Sequence, residues 1–180
     1  MWSSSYTECL GSFEDFNLVC GNPVPDNAQY IIPELNFSCD GTVTQWKVGL
    51  ESGGIDQSMK LQIWRSVGAS EYTSVTEVVY TKTNDATIAT IPVSMSVMAG
   101  DMVGFYVPSG QLQPHSVAKV GFTMYTTEGS PSSLQSNLGP VEGQSPYISV
   151  SFGKLCFTSC IKYRKFVLKC RDSNAYVLFL

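Results

Sequence analysis

Six cysteines and a single histidine bound the chemistry open to this chain. Cys9, Cys20 and Cys39 precede a cysteine-free stretch over 40–155, and Cys156, Cys160 and Cys170 follow it. Zinc needs four thiolate or imidazole ligands in a tetrahedron, supplied mostly as two close pairs. Cys156-x3-Cys160 with Cys170 has no second close pair, so no metal site is expected. Disulfide formation is the better use of these thiols, although the full connectivity stays open. Cys20 with Cys39 is the expected pair, bridging the entry segment to the first core strand. Closing a loop of that length stabilises by about 3 kcal/mol where geometry permits. His115 would have to serve any Ser-His-Asp or Cys-His arrangement. It lies in Gln111-Leu112-Gln113-Pro114-His115-Ser116, without a nucleophile signature such as Gly-x-Ser-x-Gly, and reads as a solvated loop histidine.

The carboxylates are dispersed. Asp40 before Gly41, Asp56, Asp85 before Ala86 and Asp101 after Gly100 each fall where a turn is expected, and Asp serves turns by bonding its own nearby backbone. Calcium would need several oxygens converging, as in Asp-x-Asp-x-Asp-Gly, and no such spacing occurs. No catalytic residue and no cofactor are expected. Aromatic residues are the better candidates for contact with a ligand, since an apolar ring face complements the C–H face of a sugar. Trp46 shares its face with Val48 and Leu50 and belongs to a core. Trp64 shares its face with Lys60 and Gln62, which predicts exposure. Trp64, Arg65 and Tyr106 are therefore the candidate ligand-binding residues, with a Trp64–Arg65 stack at a sheet margin as the structural alternative.

These residues must be positioned by strands, because period-two alternation recurs and helical periodicity is hard to find. Thr44, Trp46, Val48 and Leu50 fall on one face of a half-buried strand. Met59, Leu61 and Ile63 alternate with Lys60, Gln62 and Trp64, after a Ser52-Gly53-Gly54 turn. Val75 to Thr81 is β-branched and aromatic, but Glu77 breaks its alternation, which suits an edge strand or a bulge. Pro92 ends the run Thr87 to Ile91 or marks an edge. Met102 to Val107 is almost continuously apolar, as a strand buried on both faces must be. Val120, Phe122 and Met124 form one more core face. Glu128 to Ser145 reads as a loop, and Ile148, Val150 and Phe152 close the series. Nine or ten short strands between 29 and 153, with fifteen Gly and nine Pro in the chain, predict an all-β, antiparallel two-sheet β-sandwich of jelly-roll type. A closed barrel would carry the same alternation.

Composition is globular, with 43% hydrophobic and 14% charged residues. Charge divides the chain unevenly. Residues 1–153 carry five basic against fourteen acidic side chains, a net of −9, whereas residues 154–180 carry a net of +5. An acidic body repels a phosphate backbone, so no nucleic-acid partner is expected. The divisions expected are an entry segment (1–28), the sandwich (29–153) and a basic, cysteine-containing tail (154–180) outside the fold. The tail is the one segment suited to membrane contact, through interleaved Lys, Arg, Phe and Leu. No leader and no run of about 18 apolar residues is visible. The cysteines and the Asn36-Phe37-Ser38 sequon, which marks Asn36 for glycosylation, nonetheless favour an extracellular or cell-surface setting.

The runs Ile31-Ile32-Pro33-Glu34-Leu35-Asn36-Phe37-Ser38-Cys39-Asp40-Gly41-Thr42-Val43-Thr44-Gln45-Trp46, Leu61-Gln62-Ile63-Trp64-Arg65 and Ala99-Gly100-Asp101-Met102-Val103-Gly104-Phe105-Tyr106 resemble a β-sandwich module of uncharacterised extracellular regions of invertebrate cell-surface proteins. The resemblance covers about residues 20–153. It implies a receptor-like or adhesive ectodomain and carries no catalytic residues to this chain. The function expected is thus a non-enzymatic binding or adhesion module with a protein or glycan ligand. A carbohydrate-recognition domain built on Trp64, and a hydrolase whose site is assembled from distant loops, are the alternatives.

Overall fold

Among the described residues every regular element is a strand, as the period-two alternation predicts. The computed structural model describes residues 22–69, 71–128, 134–135 and 138–154. Its strands are β1 (Asn22–Pro23), β2 (Ala28–Asn36), β3 (Gly41–Gly49), β4 (Ser58–Gly68), β5 (Glu71–Thr81), β6 (Ile88–Val97), β7 (Met102–Val107), β8 (His115–Glu128), β9 (Leu134–Gln135), β10 (Gly139–Pro146) and β11 (Ile148–Lys154). The larger sheet runs β1-β8-β2-β7-β4-β5-β9, with β10 also paired to β8, and the smaller runs β11-β3-β6. All pairings are antiparallel. The two sheets pack face to face as a β-sandwich. Its eight-and-three division is less even than the jelly roll expected, and two of its eleven strands are only two residues long.

The main core lies between the sheets. Trp46 is fully buried, as its shared face with Val48 and Leu50 predicts, and its Nε1 donates to Met95 Sδ at 3.2 Å. Tyr30 stacks on Phe105 with ring centroids 4.6 Å apart, while its hydroxyl donates to the Pro25 carbonyl at 2.9 Å. Each such side chain removed from water contributes about 1.5–3 kcal/mol. All six residues of β7 are buried, matching its continuous apolar run. The fold also takes in residues assigned to the entry segment: Val24 is buried, and its N–H donates to the Pro114 carbonyl at 3.0 Å. Cys39 packs half-buried against this core. Cys20, Cys156, Cys160, Cys170 and the tail beyond Lys154 lie outside the described residues, and so does the expected Cys20–Cys39 pair.

Several departures from the expected alternation have one cause, the β-bulge. Val43 pairs with Phe152 and Met95, and Gln45 with Ser151 and Pro92, so Thr44 is skipped on both sides of β3. The skip reverses the phase: Val43 turns inward and Thr44 outward. Val120, expected in the core, is fully exposed, because the β8–β10 register breaks between Glu142 and Gln144 opposite residues 119–122. Gly121 and Gly143 take positive φ at that break. β6 runs through Pro92, which its edge position permits. The stretch read as a loop over 128–145 holds β9 and β10, whose Gly and Pro conceal strands paired on one side only.

The larger sheet is rolled. Tyr72 of β5 and Tyr125 of β8 have ring centroids 6.2 Å apart, although β4, β7 and β2 lie between them. On a flat sheet those two strands would be about 19 Å apart. The chain also passes from Gln135 on one side of the sheet to Gly139 on the other in four residues. Four residues reach at most about 14 Å, against about 29 Å for the flat strand order. The face turned away from the smaller sheet therefore curls over a second core of Ile31, Trp64 and Met102, flanked by Tyr72, Tyr125 and Leu138. Gly104 makes this possible, since a Cβ there would meet Trp64 Cδ1 and the Tyr30 carbonyl oxygen, both at 2.6 Å.

Two outcomes follow from these cores. Gly104→Ala is expected to destabilise by about 1–3 kcal/mol in urea unfolding, because backbone on one side cannot yield. Gly139→Ala, whose added Cβ meets nothing closer than 3.8 Å, is the near-neutral control. Burial pushes the Tyr30 phenol up from 10.0 to about 12. The fold thus favours its protonated form, and the stability this provides is complete below pH 10 and lost as pH rises from 10 to 12. The loss is on the order of 2 kcal/mol. Tyr30→Phe should flatten that part of the urea-midpoint profile, with a residual slope from Tyr72 and Tyr80, which burial also raises.

Candidate interaction edge

The expected ligand residues all lie on or beside the rolled face, and the fold employs each of them. Register sets two rows across that face, Thr127–Gln29–Tyr106–Lys60–Val79 and Tyr125–Ile31–Gly104–Gln62–Glu77. Trp64, expected to be exposed, is 0% exposed: curling of the sheet closes the face that its Lys60 and Gln62 neighbours had suggested was open. Its Nε1 donates to Gln62 Oε1 at 3.2 Å, and Gln62 Nε2 donates to Glu77 Oε2 at 3.1 Å. Lys60 Nζ completes the chain with a 2.9 Å bond to Glu77 Oε1. That ammonium, aided by Gln62, holds the Glu77 carboxyl below the usual carboxylate range against partial desolvation. Tyr106 is buried in the first row beside Gln29. Gln29 Nε2 donates to the Tyr30 and Phe105 carbonyls at 3.0 and 2.9 Å, and its Oε1 is buried without a partner, at a cost of about 1–3 kcal/mol.

Arg65 is a clamp. Its Nε and Nη2 donate to the two oxygens of Asp101 at 2.6 and 2.9 Å, and the Asp101 side chain is fully buried. The same carboxylate accepts the Met98 N–H at 2.8 Å, closing the β6–β7 turn in which Gly100 takes φ +89. Backbone bonds from Phe37 N–H to the Asp101 carbonyl and from Gly100 N–H to the Phe37 carbonyl tie the turn to the end of β2. Asn36 sits there, exposed, with Nδ2 donating to the Pro33 carbonyl at 2.9 Å.

What stays open is the edge of β5. Its side away from β4 pairs with β9 at Tyr72 and Thr73 alone, so among the described residues Ser74–Thr81 has no strand beside it. From Thr76 to Thr81 the β4–β5 register is unbroken, after the bulge that skips Val75. Val75 and Val79 are 37% and 58% exposed. Other edges are blunted, as sheet proteins require to avoid stray pairing. β6 carries Pro92, and β10 carries Pro140, Pro146 and the break at Gly143. β5 has neither Pro nor Lys, and its one central charge is paired with Lys60.

Both ends of this edge are anchored. β9 holds the first. At the second, the Lys82 N–H donates to the Gln57 carbonyl at 2.9 Å, and its own carbonyl accepts from Asp56 N–H at 2.8 Å. The Lys82 side chain is buried, with Nζ donating to the Glu51 carbonyl at 2.5 Å and 4.0 Å from Asp85 Oδ1, which also accepts the Gly53 N–H. An edge fixed at both ends loses little conformational freedom when a strand is added. The β-branched run over Val75–Thr81 was the sequence signal for this strand; its openness depends on neighbours that the sequence does not name.

Arg65→Ala is expected to cost about 3 kcal/mol in urea unfolding, since it strands a buried carboxylate. Asp101→Asn should cost less, because it leaves Arg65 facing water. In comparisons with known proteins, no family model, curated protein or solved structure matches this chain.

Proposed function

We propose that this chain is a non-enzymatic interaction module of an extracellular or cell-surface protein, and that it binds an extended protein segment as an added strand on β5. The observation that carries this reading is the contrast among edges: one regular stretch, anchored at both ends and with its central charge paired, stands beside β6 and β10, which are interrupted by proline. In strand addition, main-chain hydrogen bonds supply affinity and alternate side chains supply specificity. The fully buried ring of Trp64 offers no stacking face to a sugar, which favours a protein ligand over a glycan. The extracellular setting rests on the cysteine content, with Cys20–Cys39 as the proposed disulfide, and on the exposed Asn36 of the sequon.

One preparation tests both halves. The full chain, secreted from a eukaryotic host, is panned against a phage-displayed random peptide library and mapped by non-reducing peptide mass analysis. Strand-forming peptides with alternating β-branched residues should be enriched by the native chain and lost with Val79→Lys, which places a charge on an exposed edge position without touching a core. A Cys20–Cys39 peptide and a glycan mass at Asn36 are expected. Peptides that bind Val79→Lys equally well would remove β5 as the site, and free thiols with a bare Asn36 would remove the extracellular setting.

A further inference from the structure

We infer that the strand received by β5 is β5 of a second copy of this chain, paired antiparallel about a two-fold axis through Val78. The inference rests on the reading of β5 as a receptive edge. Residues facing each other across an antiparallel pair must point to the same face of the sheet. Val75, Glu77, Val79 and Thr81 form the exposed set of β5, and Thr76, Val78 and Tyr80 the half-buried set. A two-fold pairing that respects these sets must centre on a residue, and within the regular stretch Thr76–Thr81 the centres Val78 and Val79 use most of it.

Centring on Glu77 would place two carboxylates opposite each other, which sheets disfavour. Centring on Val79 would bring Thr76 against Lys82, which lies past the end of β5. Centring on Val78 avoids both. Glu77 then faces Val79 of the second copy, Thr76 faces its Tyr80, and Val78 faces its own counterpart. These aromatic–β-branched and aliphatic pairings are ones that sheets favour. Charge is accommodated: the two Glu77 carboxylates become diagonal neighbours and not facing ones, and each is already paired with its own Lys60. The eight-stranded sheets of two molecules become one continuous sheet, with the Val75 bulges at the margins of the pairing.

A single strand pair covers less surface than the roughly 800 Å² per partner of a standard stable complex, so the dimer is weak and concentration-dependent. Such an association suits adhesion, where many copies act together at a surface.

The test uses the full 180-residue chain. Sedimentation equilibrium over a wide concentration range should show a monomer–dimer equilibrium that weakens at least tenfold in Val79→Glu, which sets a second carboxylate against Glu77 of the facing copy, and is unchanged in Val120→Glu, which alters a fully exposed residue on β8. Facing Cα atoms in such a pair are about 5 Å apart, within disulfide reach. Val78→Cys under a glutathione buffer should therefore yield a covalent dimer, with peptide mapping showing the introduced thiol joined to its copy, whereas Val120→Cys should not. Circular dichroism confirms that each variant is folded. A chain that stays monomeric throughout, or a dimer indifferent to Val79→Glu, overturns the self-pairing. If the chain is monomeric yet still captures strand peptides in a Val79-dependent way, self-pairing fails and the receptive edge stands. If peptide capture is also indifferent to Val79→Lys, both fail.

Discussion

The close approach of the Trp64 indole to the backbone at Gly104 is the contact on which this architecture depends. A large ring can lie across the middle of a sheet only where the strand beneath it carries no side chain, and Gly104 provides that place on β7, the most enclosed strand. With the ring seated there, Ile31, Met102, Tyr72, Tyr125 and Leu138 gather round it, and the sheet bends until β5 and β8 nearly meet. Polar residues on the same face are then drawn in. Gln62 satisfies the indole N–H, Glu77 satisfies Gln62, and Lys60 neutralises Glu77. The curl thus turns a face that would otherwise have met solvent into a second core.

Closure of that face has a functional consequence. A sandwich with an open concave face can hold a ligand there, but here the face is occupied by the protein's own aromatic residues. Under the proposed function, recognition falls to the margins, where backbone groups remain to be satisfied. Proline interrupts β6 and β10 but not β5, the strand whose inward side anchors one wall of the curl through Tyr72 and the Glu77 chain. The interaction that shapes the sheet therefore also stiffens the edge proposed to receive a strand.

Much of this was legible in the chain. Alternation identifies β3, β4, β7, β8 and β11, the apolar run Met102–Val107 identifies the doubly buried strand, and Glu77 marks β5 as an edge or a bulge, both of which it is. Errors cluster where a bulge shifts phase by one residue, as at Thr44 and Val120, because a skipped residue changes which face each neighbour takes without altering composition. β10 was hidden for a different reason: Gly and Pro are turn formers in general, yet both are tolerated on a strand bonded along one side.

Trp64 shows where sequence ends and tertiary structure begins. Its flanking Lys60 and Gln62 correctly place it on the face away from the main core, because strand geometry assigns faces locally. Whether that face meets water depends on the curvature of the whole sheet, which is set by contacts between residues as distant as Tyr72 and Tyr125. The same holds for Arg65, whose charge is plain in the sequence but whose partner, Asp101, is supplied by a turn 36 residues away. Residue types and their period determine that this chain forms strands, which side chains share a face and where it turns. Long-range pairing alone decides which face is closed and which edge is left open, since both depend on what lies beside a strand, and strand neighbours here are rarely neighbours in sequence.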